Sequence, residues 1–444
     1  MKKSWIVLVA LFVVVMAVAA QVAAQDSSSA LSGTVRVGSW ESGDALTPWN
    51  NAITAFEAAN PGVKVQLEAV PQDYGTKLLA QFAAGNAPDV FMSGEGDVAK
   101  WQALGKVEDL APYIKGDNGF DMSELVPGVA AFGNVAGSTY YLTKDYSPLV
   151  LYYNTDQFKA AGVDVPTDKW TWDDFLTAAQ KLTIDANGKD STSPDFDAAN
   201  IKQWGVQIPD SWGDWLWVRG ILPILYANGG SLISEDGTKS EGFMNSDATV
   251  KALQAYVDLF TKYHVAPTKD DVAAYSGTDM FQSGLVSMLW TGVWPLNGYK
   301  EVADLNFGTS GLPSGSEGKA NVLCWSGFAM NADSENKDAA WAFLKYIAVG
   351  DGAKEFANYG LTDVQAILDE QGLSKDEYHG PVIADLANVK PIPDMLTQYW
   401  GDCGNKTFTD QFETVFEADV SIKDAMDTAA KDADACMAEK AAAQ

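Results

Sequence analysis

Apolar residues along this chain alternate between a period of two and a period near 3.6. Thr34-Val35-Arg36-Val37 reads as a short strand. Trp49, Ile53 and Phe56 then recur at helical spacing from about Pro48, with Thr47 as the expected N-cap and Pro61-Gly62 as the stop. Val63, Val65 and Leu67 alternate as a second strand, Tyr74, Leu78 and Phe82 mark a second helix, and Asp89 to Met92 is a third short apolar run. Strand, helix, strand, helix, strand at this pace predicts βαβ units and an α/β fold.

The middle of the chain repeats that logic. Leu149 to Tyr153 reads as a buried strand, followed by a short helix that Gly162 closes. Thr171-Trp172-Asp173-Asp174 has the form of a capping box, opening a helix with Phe175, Leu176, Ala179 and Leu182 on one face. Further helices are expected around 214–227 and 247–263, and strands at 285–289, 305–308 and 323–330. Helices over about 336–349 and 352–359 follow, and a last one opens at Ser421 with Asp424 three residues on.

The first residues have a different character. Lys2 and Lys3 precede an apolar run from Trp5 to Ala20, and Val22-Ala23-Ala24 offers small residues before a cleavage at Gln25. That is the layout of a secretory signal peptide over 1–24, followed by a polar tether over 25–33. An uncleaved transmembrane anchor is the competing reading. Export exposes cysteines to oxidation, and with Cys324, Cys403 and Cys436 at most one disulfide forms. Cys403 with Cys436 is the expected pair, since both lie in the C-terminal part. No two cysteines have zinc-ligand spacing, so no metal site is expected. Asp185, Asn187, Gly188 and Asp190 resemble part of a calcium loop, but its twelfth position is Phe196, which favours a plain turn.

A length of 444 residues suggests two domains. The formal net charge of −29 disfavours nucleic acid and anionic lipid as partners, but leaves the ligand open. Fifteen Trp are an excess that a function should explain.

Four ordered segments resemble the extracellular sugar-binding proteins of ABC importers, the family that includes maltose-binding protein. The first is Ala87-Pro88-Asp89-Val90 with Leu104-Gly105-Lys106-Val107-Glu108-Asp109-Leu110. The second is Leu151-Tyr152-Tyr153-Asn154-Thr155-Asp156-Gln157-Phe158, then Ala161-Gly162 and Trp170-Thr171-Trp172-Asp173-Asp174-Phe175. The third is Met280-Phe281-Gln282-Ser283-Gly284 leading to Met288-Leu289-Trp290-Thr291-Gly292-Val293-Trp294. The fourth is Gly311-Leu312-Pro313-Ser314-Gly315, Trp325-Ser326-Gly327-Phe328 and Ala339-Ala340-Trp341-Ala342-Phe343-Leu344. Each piece is a turn, cap or packing signature, and their order carries the likeness. Cys324-Trp325 stands where the family usually has Gly-Gly.

The resemblance implies two α/β lobes joined by a hinge, with the ligand cleft between them, the periplasmic-binding-protein-like type II architecture. The lobes would comprise 34–145 plus 329–360 and 146–328 plus 361–444. It implies a monomer that works without cofactor or covalent chemistry, closing on a sugar and docking on the permease subunits of an ABC transporter.

A sugar wants polar side chains for its hydroxyls and flat rings for its C–H faces. Trp40 and Glu41 follow the first strand at a carboxyl end, where ligands of α/β sheets bind. The resemblance implies contacts from Glu95 and Asp97 in the loop after the third run, although the aromatic expected there is Ser93. Asp89 reads as structural. It implies a polar contact from Asp145 at the lobe crossing, and stacked rings at Trp290, Trp294, Trp325 and Trp400. Trp212 and Trp215 lie near a helix start, and Trp212 is the better platform. Trp217, Trp172 and Trp341 read as core. Two other classes stay open: a secreted glycoside hydrolase, which also combines Trp platforms with carboxylate pairs, and a binder of a peptide, polyamine or other non-sugar solute.

Overall fold

In the computed structural model the described residues are 31–135, 137–208, 216–357 and 359–443. The expected signal peptide, most of the tether and Trp212 lie outside them. Two sheets organise the chain. The first contains β1 (Gly33–Ser39), β2 (Val63–Ala69), β3 (Val90–Gly94), β4 (Tyr141–Pro148) and a late strand, Leu323–Met330. The second contains β5 (Val150–Asn154), β6 (Met288–Thr291) and β7 (Phe307–Ser310), which makes Leu323–Met330 β8. The first sheet runs β2-β1-β3-β8-β4, with β1 parallel to both its neighbours and β8 antiparallel to both of its own. The second has β5 at its centre, antiparallel to β6 and β7.

The helices cover these sheets for the reason their spacing predicts. α1 (Thr47–Ala59) buries Trp49, Ala52 and Phe56, with Pro48 in its first turn, although its N-cap is Leu46 and the Thr47 hydroxyl caps nothing. α2 is Tyr74–Ala83. α3 (Trp172–Leu182) starts on the complete capping box, the Thr171 N–H donating to Asp174 Oδ2 at 2.9 Å and the Asp174 N–H to Thr171 Oγ1 at 3.3 Å. α4 is Val218–Ala227, α5 Asp247–Thr261, α6 Lys337–Ala348 and α7 Lys406–Glu417. α8 (Ile422–Ala442) is capped by Ser421 and buries small residues, Ala425, Ala429 and Ala433, which let it lie close to its neighbours. Cys403 and Cys436 are joined in a disulfide that ties α8 to the segment before α7.

One hydrophobic core packs α1 and α6 against the first sheet, and another packs α3, α4, α5, α7 and α8 around Leu149 and Leu151. The chain passes from the first sheet to the second through Leu149 alone. The side chain of buried Asn321 clamps that crossing from the return path, accepting from the Leu149 N–H at 3.0 Å and donating to the Leu149 carbonyl at 2.8 Å. β8 therefore lies wholly in the first sheet, including 323–328, which the sequence had assigned to the second lobe. The strand expected at 305–308 begins two residues later, and 204–207 join the sheet region only through bridges. Asp185 accepts backbone N–H groups from Asn187, Lys189 and Asp197, the bonding of a turn, and no metal-ligand cluster occurs among the described residues.

Candidate ligand-binding site

The carboxyl ends of β1 and β3 open on a cavity of about 740 Å³, which also meets β4, the start of β8, the start of α4 and the turn after β6. Its dimensions suit a small-molecule site, for which about 300–1,000 Å³ is usual. Its walls combine four tryptophans, Trp40, Trp217, Trp294 and Trp325, with two ion-pair networks.

The first network centres on Lys144 of β4, a buried ammonium that Glu41 meets at 2.7 Å and Asp145 meets beside it. Glu41 also accepts from Trp49 Nε1 of α1, and Asp145 accepts from Ser326 Oγ of β8 at 2.5 Å. Burial disfavours the ammonium, but the two carboxylates outweigh it and hold the Lys144 pKa above its usual value. The second network centres on Arg219 in the first turn of α4, 2.6 Å from Glu95 and 3.9 Å from Asp394. Glu95 accepts the Trp325 N–H at 3.2 Å as well. Burial pushes the Glu95 carboxyl up, and Arg219 opposes that shift.

The aromatic wall depends on two glycines. The ring of Trp294 lies on Gly292, where an added Cβ would stand 2.0 Å from Cζ3, so only glycine admits this placement. Trp294 is 38% exposed and meets Trp217 edge to face, with centroids 6.0 Å apart. Trp40 lines the same cavity and packs edge to face on Tyr74. The ring of Trp325 lies over Gly327 in the same manner, but it turns inward. It stacks near Phe132, donates to Thr143 Oγ1 at 3.2 Å and is only 3% exposed.

Of the residues that sequence singled out, Trp40, Glu41, Glu95, Asp145, Trp294 and Trp325 are brought to this one cavity. Trp325 offers it little ring surface, which corrects its reading as a stacking platform. Two more expectations are corrected outright: Trp290 and Trp400 are each 1% exposed within the core that packs on the second sheet. Trp290 points from β6 toward Phe175 of α3, and Trp400 lies against Gly404 beside the disulfide. Asp97 does not line the cavity; it sits ahead of the short helix Val98–Ala103 and pairs with Lys100 at 3.7 Å. Asp89 is structural as expected, accepting from the Arg36 N–H and from Ser334 Oγ.

Sequence reasoning missed Lys144, Arg219, Asp394 and Tyr359, and it placed Trp217 in the core. One signal was available. The chain has only two arginines, and Arg219 interrupts the apolar run Trp215 to Leu225. A guanidinium there needs buried carboxylates, which implies a polar site.

Comparison with known proteins places the chain in a family. Residues 40–363 match the model of bacterial extracellular solute-binding proteins, and the chain belongs to that family. An ABC substrate-binding protein from Listeria monocytogenes, solved in complex with cycloalternan, superposes with a TM-score of 0.78 at 27% identity, covering 92% of this chain and 99% of its own. The maltose/maltodextrin-binding domain from Bdellovibrio bacteriovorus, bound to maltotriose, has a TM-score of 0.74 at 17% identity, with 92% and 100% covered, which establishes shared fold. The sn-glycerol-3-phosphate-binding periplasmic protein of Salmonella typhimurium is 26% identical over 403 residues, 84% of this chain and 85% of that protein. The two-lobed architecture expected from sequence is therefore that of the family. No helix among the described residues is long and apolar enough to cross a membrane.

Proposed function

We propose that this solute-binding protein captures a neutral mono- or oligosaccharide outside the cytoplasmic membrane and delivers it to the permease of an ABC importer. The observation that carries the reading is the pairing of charge in the cavity. Among the described residues lining it, Lys144 is matched by Glu41 and Asp145, and Arg219 by Glu95, with Asp394 outside the lining as a second partner of Arg219. An anion such as sn-glycerol 3-phosphate would have to displace a carboxylate from a buried partner, and a polyamine would have to compete for carboxylates that Lys144 or Arg219 already engage. Breaking a buried pair costs about 3–5 kcal/mol, whereas a sugar hydroxyl adds a hydrogen bond to the paired groups. Trp40, Trp217 and Trp294 supply faces for the sugar ring.

In this reading the first lobe carries 34–148 plus 323–360 and the second 150–310 plus 361–443, hinged at Leu149, at the passage before β8 and near Leu361. Sugar binding closes them by its differential affinity for the closed state. The protein acts as an exported monomer, without cofactor and without catalysis, so chromogenic glycosides should remain intact. Calorimetry against neutral sugars, sn-glycerol 3-phosphate and spermidine tests the ligand class. Binding of a sugar alone supports the proposal; binding of either charged compound with no sugar bound refutes it.

A further inference from the structure

A second hollow of about 270 Å³ adjoins the main cavity, and Val293, Tyr359 and Gly360 belong to the walls of both. The divider between them is a narrow return of the chain. The Tyr146 N–H of β4 donates to the Leu361 carbonyl at 2.9 Å, and a Cβ at Gly360 would stand 2.8 Å from Cβ of Asp145. Tyr359 is 40% exposed at the junction. With Trp294 it makes two of the three exposed large aromatic side chains among the described residues, and both line the cavity.

The second hollow has its own chemistry. Leu296 and Leu373 give it apolar surface, and Gln371 and His379 give it polar groups. His379 Nδ1 lies 2.7 Å from Asp376 Oδ1, which also accepts the backbone N–H groups of Tyr378 and His379. Burial raises the Asp376 pKa, but these hydrogen bonds bring it below the ordinary carboxylate value, so the group is an acceptor and Nδ1 carries the proton. Burial also holds the imidazole below its usual pKa, more than its Asp376 bond raises it. The ring is then neutral at pH 7, with Nε2 left as an acceptor. Among the described residues no hydrogen bond is made by Nε2 or by the Gln371 side chain, and no charged side chain lines this hollow.

We propose that the two hollows form one site for a neutral oligosaccharide, with one sugar unit seated in the second hollow against Tyr359, Gln371 and His379. This rests on the neutral-sugar reading given above. An amide that both donates and accepts, a neutral imidazole acceptor and apolar walls match the hydroxyls and C–H faces of a single ring. The same hollow offers no counter-charge to a phosphate or an ammonium. A monosaccharide can sit in the main cavity alone, so a chain of two or more units that also reaches the second hollow should bind more tightly.

The test is calorimetric titration of the full-length mature protein with glucose, maltose and maltotriose, and with the corresponding xylose, mannose and galactose series. In the series that binds, the di- or trisaccharide should bind at least about tenfold more tightly than its monosaccharide. Gln371→Leu and Leu373→Trp, each checked by thermal melting, should bring the longer sugar to within about threefold of the monosaccharide, whose own affinity stays unchanged. Equal affinity for one unit and for several overturns the proposal. So does a variant that melts normally and weakens both lengths alike or neither. If no sugar binds and sn-glycerol 3-phosphate or spermidine does, the neutral-sugar reading falls first and this proposal falls with it.

Discussion

Asp363 is buried against β4 in an environment that should tie the stability of the protein to pH. It is 1% exposed, accepts from Thr143 Oγ1 at 2.6 Å and has no hydrogen-bond partner at Oδ1 among the described residues. Burial pushes its pKa up to about 7, and the Thr143 bond offsets only part of that shift. In the unfolded chain the value is about 3.9. Well below pH 4 both states are protonated and the group has no effect on stability. Between pH 4 and 7 the unfolded state ionises while the folded state keeps its proton, so stability falls as pH rises. About three units at 1.36 kcal/mol each make the loss about 4 kcal/mol above pH 7. Asp363→Asn keeps an acceptor for Thr143 and removes the ionisation. The variant should match the parent protein at pH 4 and exceed it by up to about 4 kcal/mol at pH 8, with the gain growing through the interval. Urea unfolding monitored by Trp fluorescence at pH 4, 6 and 8 measures this. A stability difference that is the same at all three values would refute the reasoning.

Trp294→Ala should weaken sugar binding about tenfold or more, or about 1.4 kcal/mol, in calorimetry. Trp290→Ala should instead destabilise the fold by about 3–5 kcal/mol in urea melts, because its ring fills a core. Lys144→Met leaves Glu41 and Asp145 facing each other without a cation, and the loss should lie toward the lower end of about 3–5 kcal/mol because both carboxylates keep some access to water. Reduction of the Cys403–Cys436 bond, which closes a separation of 33 residues, should cost about 3–4 kcal/mol, seen as a lower melting temperature in reductant.

Local signals determined the elements of this fold because their causes are local. The Thr171–Asp174 box, the Ser421 cap and the alternation of Val35 and Val37 each act within a few residues, and all are present. The pairing of Cys403 with Cys436 was legible because three cysteines leave few choices. Sequence also reached the cavity at β-strand carboxyl ends, at Trp40, Glu41 and Glu95. What it could not decide was the direction in which each aromatic ring faces. Trp290, Trp294, Trp325 and Trp400 are chemically alike, and their exposure depends on what packs across from them. Phe175 and the core cover Trp290, Phe132 and Tyr141 cover Trp325, and Gly292 lets Trp294 lie outward. The networks at Lys144 and Arg219 were equally hidden, since Glu41, Glu95 and Asp394 reach them from distant parts of the chain. Burial and charge pairing are properties of residues far apart in sequence, so only the tertiary structure turned an excess of tryptophan and carboxylate into one site.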